Sequence, residues 1–166
     1  AGHMEPDLDF IGEKTHGTEC AAVIEQLSPG RPFVSLRVLD KQGRGEIQDL
    51  LVALGWCQAH GAKLIHMSMG SADYYDFSPM REAVQRLLKQ RCLIVAAYHN
   101  LNVPSYPAFC PGVFGVRFDR SHTLSNGCFA FEEEPRIPRK ENRSVACFAG
   151  PLTCLDGTVS PLGASN

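Results

Sequence analysis

"RCLIVAAYHN" (residues 91–100) runs from Cys92 to Tyr98 without a charge. A strand that buries only one face alternates apolar with polar residues, whereas a continuous apolar run of about six residues is expected where both faces are covered, as in parallel sheets between helical layers. The segment before it has the helical pattern that such a layer needs. "SPMREAVQRLLKQ" (78–90) aligns Met80, Ala83, Val84, Leu87 and Leu88 along one face, and Ser78 followed by Pro79 reads as a cap with proline at the first helical position.

The rhythm continues outward. "KLIHMSMG" (63–70) reads as a second buried strand, preceded by "EIQDLLVALGWCQAHG" (46–61), a helix with Ile47, Leu50, Leu51, Leu54 and Trp56 or Cys57 at helical spacing that stops at Gly61. "RPFVSLRVLD" (31–40), rich in β-branched and apolar residues and closed by the turn "KQGRG", reads as a further strand, as does "PAFCPGVFGVRFD" (107–119) after a proline-rich turn. Alternating strands and helices imply an α/β fold, a parallel sheet flanked by helices, with the strands near 33–39, 63–68 and 92–98 as neighbours. Past residue 120 the pattern loosens. "FEEEPRIPRKENR" (131–143) reads as a charged surface excursion, and "SVACFAGPLTCLDGTVSPLGASN" alternates short apolar runs with turn residues.

Composition narrows the function. The 166 residues suit one domain, here 4–166, with residues 1–3 ahead of Met4 reading as an expression scar. A net charge of −2 with 44% hydrophobic residues lacks the basic excess that nucleic acid requires, and no apolar run approaches the roughly 20 residues of a membrane span. The first residues show no signal-peptide pattern. Seven cysteines are odd in number and show no C-x-x-C spacing, which argues against a full disulfide framework and against a metal site. Buried thiols in a reducing compartment, the cytoplasm, are the expectation, with a secreted domain carrying a spare cysteine as the alternative. No cofactor is expected.

Three short motifs carry chemistry. His16-Gly17-Thr18 opens the helix-like "ECAAVIEQL", and the positive end of a helix disfavours a cationic ring, which suits a proton acceptor. Asn100 ends the strand at 91–100, where the carboxyl edge of a parallel sheet gathers ligands and an amide can donate to a developing oxyanion. Ser68, Met69 and Gly70 end the neighbouring strand beside the same crevice, the glycine permitting close approach by a ligand backbone. Each has a plainer reading as a surface histidine or a strand-ending turn.

Their order and spacing resemble one family. "HGTECAAVI" is similar to the H-G-T-H-V-A-G-x-I of the subtilisin-like serine peptidases, residues 31–70 resemble that family's run from a valine-rich strand to N-M-S-L-G, and "LIVAAYHN" resembles V-V-A-A-A-G-N. "SYPAFCPGVFGVRF" is similar to Y-P-A-x-Y-P-x-V-I-x-V, and Ser165 in the closing "GASN" matches the serine of G-T-S-M-A. Some 84 residues separate His16 from Asn100 and 65 separate Asn100 from Ser165, which fits the family.

The resemblance implies a subtilisin-like three-layer sandwich with His16 as general base, Ser165 as nucleophile and Asn100 as oxyanion donor. Ser68, Met69 and Gly70 would pair with a peptide or protein substrate. The chain departs from the family in four places. It lacks the D-[ST]-G segment of the triad aspartate, and Asp7 and Asp9 in "EPDLDF" resemble the wrong segment to supply it. Glu19 replaces the second histidine, His99 replaces a glycine, and the sequence stops where the family enters a helix after the serine. The expectation is thus a peptidase domain, incomplete and weakly active as the isolated chain, with a second chain or segment completing it. The competing reading is a non-catalytic module that holds extended peptide or a partner chain.

Overall fold

The computed structural model of the chain describes residues 16–99, 101, 103–118, 128–132 and 143–147. Its elements run α1 (His16–Leu27), α2 (Ile47–Ala59), β1 (Leu64–Met67), a 3-10 turn (Tyr74–Asp76), α3 (Phe77–Lys89), β2 (Leu93–Ala97), β3 (Phe114–Phe118), β4 (Phe129–Glu132) and β5 (Arg143–Cys147). The sheet order is β1-β2-β3-β5-β4. Strands β1, β2, β3 and β5 are parallel, with Leu64 opposite Leu93, Val95 opposite Phe114 and Phe114 opposite Arg143; β4 joins β5 antiparallel.

The core forms on one face. Leu50, Leu54 and Cys57 of α2 and Met80, Ala83, Val84 and Leu87 of α3 pack on Ile65, Met67, Ile94 and Ala96 of the sheet. Strand side chains alternate between faces, so Leu64, His66, Leu93, Val95 and Ala97 turn the other way, towards α1. That side is thinly covered: α1 has no buried residue, Leu64 is 62% exposed and Leu93 43%. The expectation that the strand at 91–100 is covered on both faces therefore holds for the α2/α3 face and is corrected for the α1 face.

Helix ends follow local chemistry. α2 stops at Gly61, whose φ of 66° lets the chain leave the helix while Gly61 N–H donates to Gln58 O and Ala62 N–H to Cys57 O. The start of α3 differs from the expected serine cap. Ser78 lies inside the first turn, and the capping carboxylate belongs to Asp73, which accepts from Tyr75 N–H at 2.9 Å and starts the 3-10 turn that feeds the helix.

Two further corrections concern strands. Residues 31–40 form no ladder among the described residues. Leu36 and Val38 still pack against the core, but backbone pairing and not composition makes a strand, and the segment closes as an Asx turn in which Asp40 Oδ1 accepts from Gln42 and Arg44 N–H. Conversely β4 and β5 flank the charged stretch 131–143, overlapping it only at Phe131, Glu132 and Arg143, and β5 takes up the first of the short apolar runs that follow; the segment between the two strands lies outside the described residues.

Candidate active site

Helix α1 brings its N-terminus to the carboxyl end of β1. His16 and Cys20 lie one helical turn apart, with His16 Nε2 3.6 Å from Cys20 Sγ. Cys20 Sγ–H in turn donates to Ser68 Oγ at 3.5 Å, across 48 residues of sequence. Ser68 Oγ lies 3.4 Å from His66 Nε2, and His66 projects from β1 on the face that α1 covers. The expected base His16 and the expected peptide-binding residue Ser68 thus share one polar cluster, joined by two side chains that the motif reading did not select.

The surroundings of Cys20 and His66 favour the neutral form of each. Burial pushes the Cys20 thiol up, the bond to Ser68 works against that rise, and the nearby Glu19 carboxylate adds to it. A reactive thiolate needs the opposite environment, so Cys20 is a protonated donor and not a nucleophile. The His66 ring has an exposed surface, yet surrounding atoms crowd it enough that desolvation, followed by the like charge of His16, holds its pKa below the ordinary imidazole value. Among the described residues no group of three or more His, Cys, Asp or Glu could hold a metal ion.

Met69 and Gly70 have structural reasons to be where they are. Met69 packs against the core cluster. At Gly70 a Cβ would stand 2.6 Å from Tyr106 O, so the close approach that demands glycine comes from the chain's own loop; no ligand is needed to account for it. The next residue fixes that approach, since Ser71 and Tyr106 exchange backbone hydrogen bonds in both directions, ahead of the cis peptide bond between Tyr106 and Pro107.

Asn100 and Ser165 lie outside the described residues. The residues beside Asn100 in sequence are anchored: His99 N–H donates to the buried Ser105 Oγ at 3.0 Å, and His99 Nδ1 accepts from Leu101 N–H at 3.2 Å. His99, where the family has glycine, therefore ties down its own loop with its ring.

Comparison with known proteins agrees with this architecture. The minor extracellular protease Epr of Bacillus subtilis is 29% identical over 99 residues, covering 60% of this chain and 14% of that protein. Thermitase of Thermoactinomyces vulgaris is 27% identical over 135 residues, covering 70% of this chain and 48% of that protein. The crystal structure of a lanthipeptide protease superposes with a TM-score of 0.58 at 19% identity, over 78% of this chain and 40% of the other, which establishes a shared fold. No family model matches the chain. The chain spans less than half the length of these relatives. In sequence the chain is similar to subtilisin-like serine peptidases, and it shares its fold with a solved peptidase of that kind.

Proposed function

We propose that the chain forms part of a serine endopeptidase domain that cleaves, or transfers, peptide bonds through an acyl-enzyme on Ser165. His16 is the general base, and Asn100 with the Ser165 backbone N–H stabilises the oxyanion. The observation that carries this reading is the contact of Cys20 with Ser68, which brings the α1 terminus holding His16 to the end of β1. An extended peptide fits beside Ser68, Met69 and Gly70 as an added strand. Ser71 turns its N–H and C=O towards Tyr106, and the alternation of extended backbone then gives the opposite edge to Gly70. Buried free thiols at Cys57, Cys92 and Cys110 support a reducing compartment such as the cytoplasm.

Treatment with a fluorophosphonate followed by intact-mass and peptide mapping tests the assignment. A single adduct on Ser165, lost in His16→Ala, is the expected result. An unmodified chain under conditions that label an active serine peptidase favours the second reading, a peptide-binding module without turnover. One observation supports that alternative: among the described residues the hydrogen-bond partner of His16 is Cys20 and not a carboxylate.

A further inference from the structure

Strand β2 leaves its ladder just before the residue on which the peptidase reading places the oxyanion. Ala97 is the last ladder partner, opposite Val116, and Tyr98 N–H still reaches Val116 O at 2.8 Å. His99 is the first residue past the sheet, and its N–H goes to a side chain, Ser105 Oγ, at 3.0 Å. A backbone N–H can only donate, so the hydroxyl oxygen is the acceptor and covalent structure fixes the direction of this bond.

Ser105 stands on a firmly held loop. It is 2% exposed, and its carbonyl accepts from Phe109 N–H at 2.9 Å. Cys110 N–H donates to Pro107 O at 2.8 Å, both residues are fully buried, and Phe109 packs edge-on against Tyr98 with ring centroids 6.2 Å apart. The next residue, Tyr106, exchanges backbone hydrogen bonds with Ser71. Consecutive residues of one loop thus hold the exits of two neighbouring strands, Tyr106 that of β1 and Ser105 that of β2. Beyond Asn100 in sequence, Leu101 N–H donates to His99 Nδ1 at 3.2 Å. The residues on both sides of Asn100 are therefore tied back to the Ser105 hydroxyl, one directly and one through the His99 ring. Consecutive Cα atoms stand about 3.8 Å apart, so holding both neighbours confines the backbone between them.

We propose that Ser105 is a positioning residue for the oxyanion donor Asn100, acting through the backbone of His99. An oxyanion donor works only when it already stands about 2.7–3.1 Å from where the charge develops, and a strand end released from its ladder needs another anchor to hold that distance. The Ser105 hydroxyl is that anchor. This role rests on the serine-peptidase reading; the bond between His99 and Ser105 does not.

The test compares wild type, Ser105→Ala and Leu87→Ala, each as the 166-residue chain. Leu87→Ala lowers stability from the core and leaves the Ser105 bond in place. Amide hydrogen exchange, read by NMR without ligand, should speed about tenfold at His99 in Ser105→Ala, as for loss of one hydrogen bond, with Ile94 unchanged. The second measurement is the rate of fluorophosphonate labelling at Ser165, in which Ser165 Oγ bonds phosphorus, its proton passes to His16, fluoride leaves and the phosphonyl oxygen carries the developing charge. That rate should fall roughly ten- to a hundredfold in Ser105→Ala and stay at the wild-type value in folded Leu87→Ala. If Ser105→Ala is not folded, Ser105→Cys, whose sulfur accepts poorly, should give the same two changes. A folded Ser105 variant that labels at the wild-type rate, a His99 amide that exchanges as in wild type, or an equal loss of rate in Leu87→Ala overturns the proposal and leaves the peptidase reading standing. A wild-type chain that takes up no reagent overturns that reading and the proposal with it.

Discussion

Ser71 N–H donates to Tyr106 O at 2.9 Å and Tyr106 N–H donates to Ser71 O at 2.8 Å, so the segment leaving β1 is stitched to the loop that leads into β3. Gly70 sits against this stitch. In Gly70→Ala the new Cβ meets a backbone carbonyl at 2.6 Å, which no rotamer change relieves. The expected cost is about 1–3 kcal/mol of unfolding free energy, as for other overpacked sites. Urea denaturation measures it. Gly55→Ala is the control: it lies in α2 with open space around its Cβ and should stabilise by about 0.5–1 kcal/mol. Equal effects at the two positions would remove the steric argument.

The buried thiols predict an alkaline limb. Burial pushes Cys110 up to about 12, only partly offset by Arg81, and raises Cys57 and Cys92 from their ordinary value of 9.0. These groups favour the protonated form more in the folded chain than in the unfolded one. Their contribution is therefore fully present below pH 9.0 and is lost as the pH rises above it, for Cys110 up to about 12, because the unfolded thiols ionise first. Each such thiol steepens the fall by at most about 1.4 kcal/mol per pH unit. Cys110→Ala should flatten the slope between pH 9.5 and 11 in thermal denaturation, and an unchanged slope would mean that Cys110 ionises as freely in the fold as outside it. Native-state alkylation should map the same order, with the exposed Cys128 modified before Cys110.

Arg91 holds a left-handed backbone, φ 59°, immediately after α3, where its N–H donates to Leu88 O and Cys92 N–H reaches back to Leu87 O. A glycine pays no Cβ penalty in that conformation. Arg91→Gly should stabilise the chain by about 0.5–1 kcal/mol even though the side chain is exposed, while Arg91→Val should destabilise it. Chemical denaturation of the two variants distinguishes backbone strain from a side-chain role, which would make both substitutions costly.

Much of the layer beneath the site was legible because it rests on local periodicity. The stripe Met80, Ala83, Val84, Leu87 identifies α3, and the uncharged run around Ile94 identifies β2. Residues 31–40 show the limit of that logic, since Val34 and Leu36 have strand composition, yet a strand exists only when another backbone pairs with it. β4 was hidden for the opposite reason: its four residues, with Phe129 and Phe131 exposed, form an antiparallel edge that runs into a charged, proline-bearing stretch. In the site, the i, i+4 spacing of His16 and Cys20 was visible in the sequence. Their junction with Ser68 and His66 was not, because it depends on where α1 crosses β1, and no spacing encodes that crossing.

The unequal covering of the two sheet faces gives the last prediction. Leu87 of α3 is 1% exposed and sits in the core between helix and sheet, whereas Leu64 of β1 is 62% exposed on the α1 side. Truncating a buried leucine removes its transfer free energy and leaves a cavity, typically costing 2–5 kcal/mol, so Leu87→Ala should fall in that range. Leu64→Ala removes a side chain that water already reaches and should cost under about 1 kcal/mol. The pair, measured by urea denaturation of the 166-residue chain, reads the packing of each face separately. A Leu64→Ala cost approaching that of Leu87→Ala would mean that Leu64 packs as a core residue and would remove the argument for an unequally covered sheet.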